Sequence, residues 1–124
     1  MDISKTIAEL KQEEGFAQNV GMVLVHNGTV RGWSRSNGTD VTQIEVRCDL
    51  EKAAEICREI EQMPGIFRIV MEARSGLMKP GDDVLFLVVA GDIRENVKPA
   101  LATLLDRIKA EAVTKQEYFC EEAS

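Results

Sequence analysis

Aromatic residues are scarce in this chain: four Phe, one Trp and one Tyr make up 5% of 124 positions, so Leu, Ile, Val, Ala and Met must fill the core. Cysteine is scarce as well. Cys48, Cys57 and Cys120 are an odd number with no C-x-x-C spacing, which argues against a disulfide framework or a zinc knuckle and fits free thiols in a reducing cytoplasm. The lone His26 has no acidic or thiol neighbours in sequence, so no metal site is expected and no cofactor is implied. No apolar run approaches the roughly 20 residues that span a bilayer. Met1 to Lys5 lacks the basic region and apolar stretch of a signal peptide, so a cytoplasmic location is expected. Positive charge is in deficit, 15 Lys+Arg against 21 Asp+Glu, a net −6. A general nucleic-acid binder or an anionic-membrane binder would carry the opposite excess. A local basic pocket for a small anion remains compatible with that balance.

What is present is an ordinary globular composition, 44% hydrophobic and 29% charged, of a length that fits one domain spanning 1–124. Repeats, low-complexity tracts and long linkers are absent. Ile3, Ile7 and Leu10 recur at helical spacing and predict a short helix over 3–13. Residues 21–30 read as a strand with Asn27-Gly28 as a turn or bulge inside it, and the Gly-, Ser- and Asn-rich stretch from Arg31 to Asp40 as a mobile loop. Residues 41–46 alternate and predict a second strand.

Asp49 is placed to cap a helix whose apolar stripe is Ala53, Ile56, Cys57 and Ile60, stopped by Pro64-Gly65. Residues 66–71 predict a third strand, and Lys79-Pro80-Gly81-Asp82 a turn. The continuous apolar run 84–90 predicts a central strand buried on both faces. The final helix carries Val97, Leu101, Leu104, Leu105 and Ile108. Asn96 as its N-cap would put Pro99 at the third helical position, where the missing N–H matters little. The order α-β-β-α-β-β-α predicts an α+β fold with a mainly antiparallel sheet and flanking helices.

Four cations are the candidate functional residues: Arg31, Arg94, Lys109 and Lys115. Each has an ordinary explanation. Lys109 complements the dipole at the end of the last helix, Lys115 is a solvated charge in the tail beyond it, and the arginines pair with nearby acids. Basic residues beside a helix start, such as Arg94, can also complete a phosphate site. Arg94 and Lys109 are 109 − 94 = 15 positions apart. At ~1.5 Å per residue that is roughly 20 Å of helix, too far to share one small-molecule site within a chain. Across a two-fold homodimer the start of one helix can meet the end of the other.

Taken in order, these segments resemble the large, catalytic subunit of molybdopterin synthase. That family has a strand ending in G-x-V-R, matched by Gly28-Thr29-Val30-Arg31. It has an H-R-x-G segment, matched by Ala73-Arg74-Ser75-Gly76 without the His, and a Pro-Gly-Asp/Glu turn, matched by Pro80-Gly81-Asp82. A His-Arg pair precedes its last helix, here Ile93-Arg94. Two lysines follow, the second in a P-x-W-K-x-E segment; here they are Lys109 and Lys115, the latter without the Pro and Trp.

The resemblance implies an α/β-hammerhead-like fold, a homodimer, and a small ubiquitin-like sulfur-carrier partner ending in Gly-Gly. It implies a sulfurtransferase that moves sulfur from the carrier's thiocarboxylate to cyclic pyranopterin monophosphate, in the biosynthesis of the molybdenum cofactor. Lys109 and Lys115 are then catalytic, and Arg31 and Arg94 bind substrate. The alternative reading is a catalytically degenerate dimeric module that binds such a carrier or a phosphorylated small molecule without turning it over.

Overall fold

A computed structural model describes residues 1–34, 38 and 40–119 of the chain. Two helices open it, α1 (Ile3–Lys11) and α2 (Phe16–Asn19), followed by strands β1 (Met22–Thr29) and β2 (Val41–Cys48). Helix α3 (Leu50–Glu61) leads to β3 (Ile66–Ala73), β4 (Gly76–Met78) and β5 (Asp83–Gly91). Helix α4 (Arg94–Glu111) is followed by β6 (Val113–Phe119). The strands form two three-stranded sheets, β1-β5-β3 and β4-β2-β6, and every pairing in them is antiparallel. The α+β class read from the sequence is the one observed.

β5 is the centre of the first sheet, and residues 85–91 are all buried. Alternation sends Leu85, Leu87 and Val89 to one face, where they meet Ala53, Ile56 and Ile60 of α3 and Val97, Leu104 and Ile108 of α4 in a single core. The N-terminal segment is pinned along β3. The Met1 ammonium pairs with Glu72 at 2.7 Å, Glu13 with Arg68 at 3.2 Å, and Phe16 meets Phe67 edge-on with ring centroids 5.9 Å apart. Arg107 ties the two long helices together by donating to Glu111 on its own helix and to Glu59 on α3. Asp49 caps α3 as the sequence predicts, accepting from the Lys52 N–H at 3.0 Å. Asp49→Ala is expected to destabilise the protein by about 1 kcal/mol, read as a shift in the urea midpoint at unchanged slope.

Helix α2 and strand β4 have no counterpart in the sequence reading, and two further elements differ from it. Helix α4 starts at Arg94 with Ile93 as its N-cap, so Pro99 is the sixth helical residue rather than the third. The Asp92 carboxylate accepts from the Ile93 N–H at 2.6 Å and from the Asn96 amide at 2.9 Å, which organises the first turn earlier than an Asn96 cap allows. Pro99 leaves the Glu95 carbonyl without its helical donor, but Glu95 is exposed and water can take that role.

The second difference is β6. The sequence reading has a solvated tail there, whereas Val113–Phe119 pairs along the whole of β2, with Val46 opposite Lys115 and Ile44 opposite Glu117. Of the expected mobile loop, Arg35, Ser36, Asn37 and Thr39 lie outside the described residues. Around them Trp33 and Asp40 form an isolated antiparallel bridge, and the Gly38 N–H donates to the Ser34 carbonyl at 2.8 Å.

Candidate functional site

Residues of both sheets and of the last turn of α4 line a cavity of about 120 Å³. Parity along each strand decides what lines it. From β2 come Ile44, Val46 and Cys48, and from β6 come Val113, Lys115 and Glu117, each set at every second position. β1 contributes His26 and Gly28, after which its pairing with β5 slips by one residue between Gly28 and Thr29. The slip is the irregularity anticipated at Asn27-Gly28, and Arg31, two residues beyond the strand, lines the cavity. Lys109 enters from the last turn of α4, and Ala73 and Arg74 from the end of β3.

Three of the four cations singled out in the sequence therefore share one cavity: Arg31 from the segment after β1, Lys109 from α4 and Lys115 from β6. Burial holds the Lys115 ammonium below the usual lysine range, with the Lys109 and Arg31 cations acting in the same direction and Glu117 opposing them. The Arg31 guanidinium lies 4.9 Å from the ring centroid of Trp33, a cation–π contact that orients it at the cavity mouth.

Arg94 is elsewhere. It is the first residue of α4, exposed, and paired with Glu95 at 3.2 Å. The helix start beside it is already engaged by the Asp92 carboxylate. That carboxyl is held below its ordinary range, chiefly by the Asn96 amide and then by the Ile93 N–H.

Sequence reasoning missed His26, Arg74 and Glu117 as cavity residues. For His26 a signal existed: it continues the inward parity of Met22 and Leu24, both packed against the core, so an imidazole stands where an apolar side chain is expected. Among the described residues the thiols offer no nucleophile. Burial, then Asp49, pushes Cys48 up, and burial with Glu61 pushes Cys57 up to about 11, so both stay protonated at neutral pH. Among the described residues no group of His, Cys, Asp and Glu is arranged to hold a metal ion, and no helix is long and apolar enough to cross a membrane.

The arrangement can bind an anion and stabilise charge that develops on oxygen or sulfur during an acyl transfer. Comparison with known proteins points the same way. The family model described as MoaE protein matches residues 1–111. The fold is similar to molybdopterin synthase from Staphylococcus aureus, with a TM-score of 0.70 and 25% identity over 83% of this chain and 77% of that one. Molybdopterin cofactor biosynthesis protein E from Burkholderia multivorans gives 0.72 at 20% identity over 99% and 87% of the two chains. A complex of subunits 1 and 2 of molybdopterin-converting factor from Helicobacter pylori gives 0.64 at 18% identity over 100% and 87%. At those last two identities the likeness is one of fold. No curated protein matches the sequence.

Proposed function

The chain belongs to the MoaE family, and from that membership we propose that it is the catalytic subunit of a molybdopterin synthase. It moves sulfur from the C-terminal Gly-Gly thiocarboxylate of a small ubiquitin-like carrier to cyclic pyranopterin monophosphate. The observation that carries this reading is the convergence of Arg31, Lys109 and Lys115 on one cavity in a chain of net charge −6. Both the donor and the acceptor of sulfur are anions, and the transfer builds further negative charge on the acyl oxygen and the departing sulfur. Arg31 binds the phosphate, its planar fork suited to two oxygens at once. Lys109 faces the charge that develops. Lys115, with its lowered proton affinity, is the lysine suited to passing a proton or acting as a nucleophile.

The cavity also argues for an assembly. At about 120 Å³ it is well below the ~300–1,000 Å³ of an ordinary small-molecule site, so one protomer encloses only part of the substrate. In a homodimer the exposed Arg94 of the partner supplies the remaining phosphate contact, as its separation from Lys109 along α4 requires. The carrier's extended tail closes the cavity from outside. The whole chain, 1–124, acts as one domain in the cytoplasm.

The test is reconstitution. The protein mixed with a thiocarboxylated carrier and cyclic pyranopterin monophosphate is expected to yield molybdopterin, detected as its fluorescent oxidation product. Complex formation without product identifies the binding module instead, a reading favoured by Ile93 and Ala73 standing where the family pattern has histidines.

A further inference from the structure

We infer that His26 is a catalytic residue of this cavity: its Nε2 takes the proton from the water that cleaves the thioester linking carrier and substrate. The inference rests on the sulfur-transfer reading above. His26 is the chain's lone histidine, and it sits on the inward face of β1 opposite Leu87 of β5. Its Nε2 is fully buried and, among the described residues, has no hydrogen-bond partner. A buried nitrogen left unpaired is a penalty that leucine or valine would avoid at this strand position.

The His26 ring lines the cavity, and Gly28 packs directly against its Nε2. A Cβ built on Gly28 would lie 2.9 Å from Nε2. Gly28 does not have a positive φ, so its backbone makes no demand for glycine; the ring above it does. Gly28 and Ala73 flank Leu85 from the two neighbouring strands. Ala73 lines the same cavity and offers no polar group, so the imidazole of the site comes from β1.

The charged and titratable groups that share the cavity with the ring are Lys109 from α4, Arg31 beyond β1, Lys115 and Glu117 from β6, Cys48 from β2 and Arg74 beyond β3. Burial, then the Lys109 cation, lowers the proton affinity of His26 and keeps it neutral. A neutral imidazole protonated on Nδ1 presents Nε2 as an acceptor.

The chemistry of the transfer leaves a task for such a group. Once the carrier's sulfur is bonded to a substrate carbon, the acyl carbon must exchange sulfur for an oxygen, and water supplies it. The water oxygen bonds to the acyl carbon while its proton passes to Nε2. The acyl C–S bond breaks, its electron pair stays on sulfur as the substrate thiolate beside the lysines, and the carrier leaves as the acid. The imidazolium then releases its proton to solvent. Loss of such a base lowers turnover by a factor of about 10² to 10⁴.

The experiment uses the full chain with thiocarboxylated carrier and cyclic pyranopterin monophosphate, comparing wild type with His26→Gln and His26→Phe. The expected result is a fall of at least a hundredfold in product rate, with a carrier–substrate adduct accumulating. Intact mass spectrometry detects that adduct, and hydroxylamine removes it. The acid limb of the wild-type pH–rate profile should coincide with the NMR titration of the single imidazole and disappear in His26→Gln.

Variants within threefold of wild type, or slowed variants with no adduct and an unchanged acid limb, overturn the inference and leave the sulfur-transfer reading standing. A wild type that forms no product overturns that reading and the inference with it. If neither His26 variant folds, Gly28→Ala carries the test. It crowds Nε2 with the imidazole still present, adduct accumulation supports the role and its absence overturns it.

Discussion

Lys109→Ala is expected to lower molybdopterin formation by roughly 10²- to 10³-fold, the loss typical when one preorganised charge-stabilising group is removed. Binding of the carrier should change little. Lys109 reaches the cavity from the end of α4, an element anchored by the fully buried Leu104 and Ile108, so its backbone is fixed before any ligand arrives. It is also a shared electrostatic neighbour: its charge lowers the proton affinity of both Lys115 and His26.

The variant should therefore carry a second signature. With that cation gone, both groups retain protons to higher pH, and the pH–rate profile of the residual activity shifts toward alkaline pH on both limbs. Lys11→Ala, far from the cavity on α1, is the control and should leave rate and profile unaltered. A Lys109→Ala protein with wild-type turnover would remove Lys109 from the catalytic assignment. A slow variant with an unshifted profile would confine it to binding.

The largest expected effect on stability comes from Gly65→Ala. Gly65 has φ +79°, in the left-handed region where a side chain is strained by ~1–2 kcal/mol. The space is filled as well: an added Cβ would lie 2.7 Å from Cγ of Asp92 and even closer to the Asp92 carboxylate oxygen and the Asn96 amide nitrogen. Those are the groups that organise the first turn of α4, so the methyl displaces the hydrogen bonds that start the helix. Strain and overpacking together predict a loss of about 3 kcal/mol. Thermal and urea unfolding measure it, with Gly38→Ala as a comparison: Gly38 also has positive φ, at +70°, but a Cβ there meets nothing within 4 Å. Equal losses at the two glycines would show that strain alone operates and that Asp92 does not depend on Gly65.

Much of the scaffold was legible because its signals are local. The stripe Ala53, Ile56, Cys57 and Ile60, the Asp49 cap and the apolar run before α4 each report on a few consecutive residues, and each is found where the sequence places it. The Lys79-Pro80-Gly81-Asp82 turn is the same kind of signal. The Asp82 N–H donates to the Lys79 carbonyl at 3.0 Å, with Gly81 at φ +94°.

What escaped was long-range. β6 does not read as a strand because two of its inward positions are Lys115 and Glu117, polar residues whose partners on β2 lie about 70 positions away. The start of α4 was misplaced because a side chain outside the helix, Asp92, competes with Asn96 for the capping role and wins by bonding both Asn96 and the Ile93 N–H. His26 escaped because its meaning lies in its neighbours: Gly28 beneath it and Lys109 from the far end of the chain. The bulge at Gly28 was visible, whereas the direction in which it would turn Arg31 was not.

β6 occupies an edge of its sheet, bonded to β2 alone, while β5 is bonded on both sides. Opening β6 requires only one ladder to part, so it costs less than opening a strand bonded on both sides. When it swings away, the cavity loses Lys115 and Glu117 together, one cation and one carboxylate. The enclosure widens, yet its net charge is unchanged, and Arg31 and Lys109 lie outside β6. Parting of this one ladder is thus the route by which the site widens while its attraction for anions stays intact.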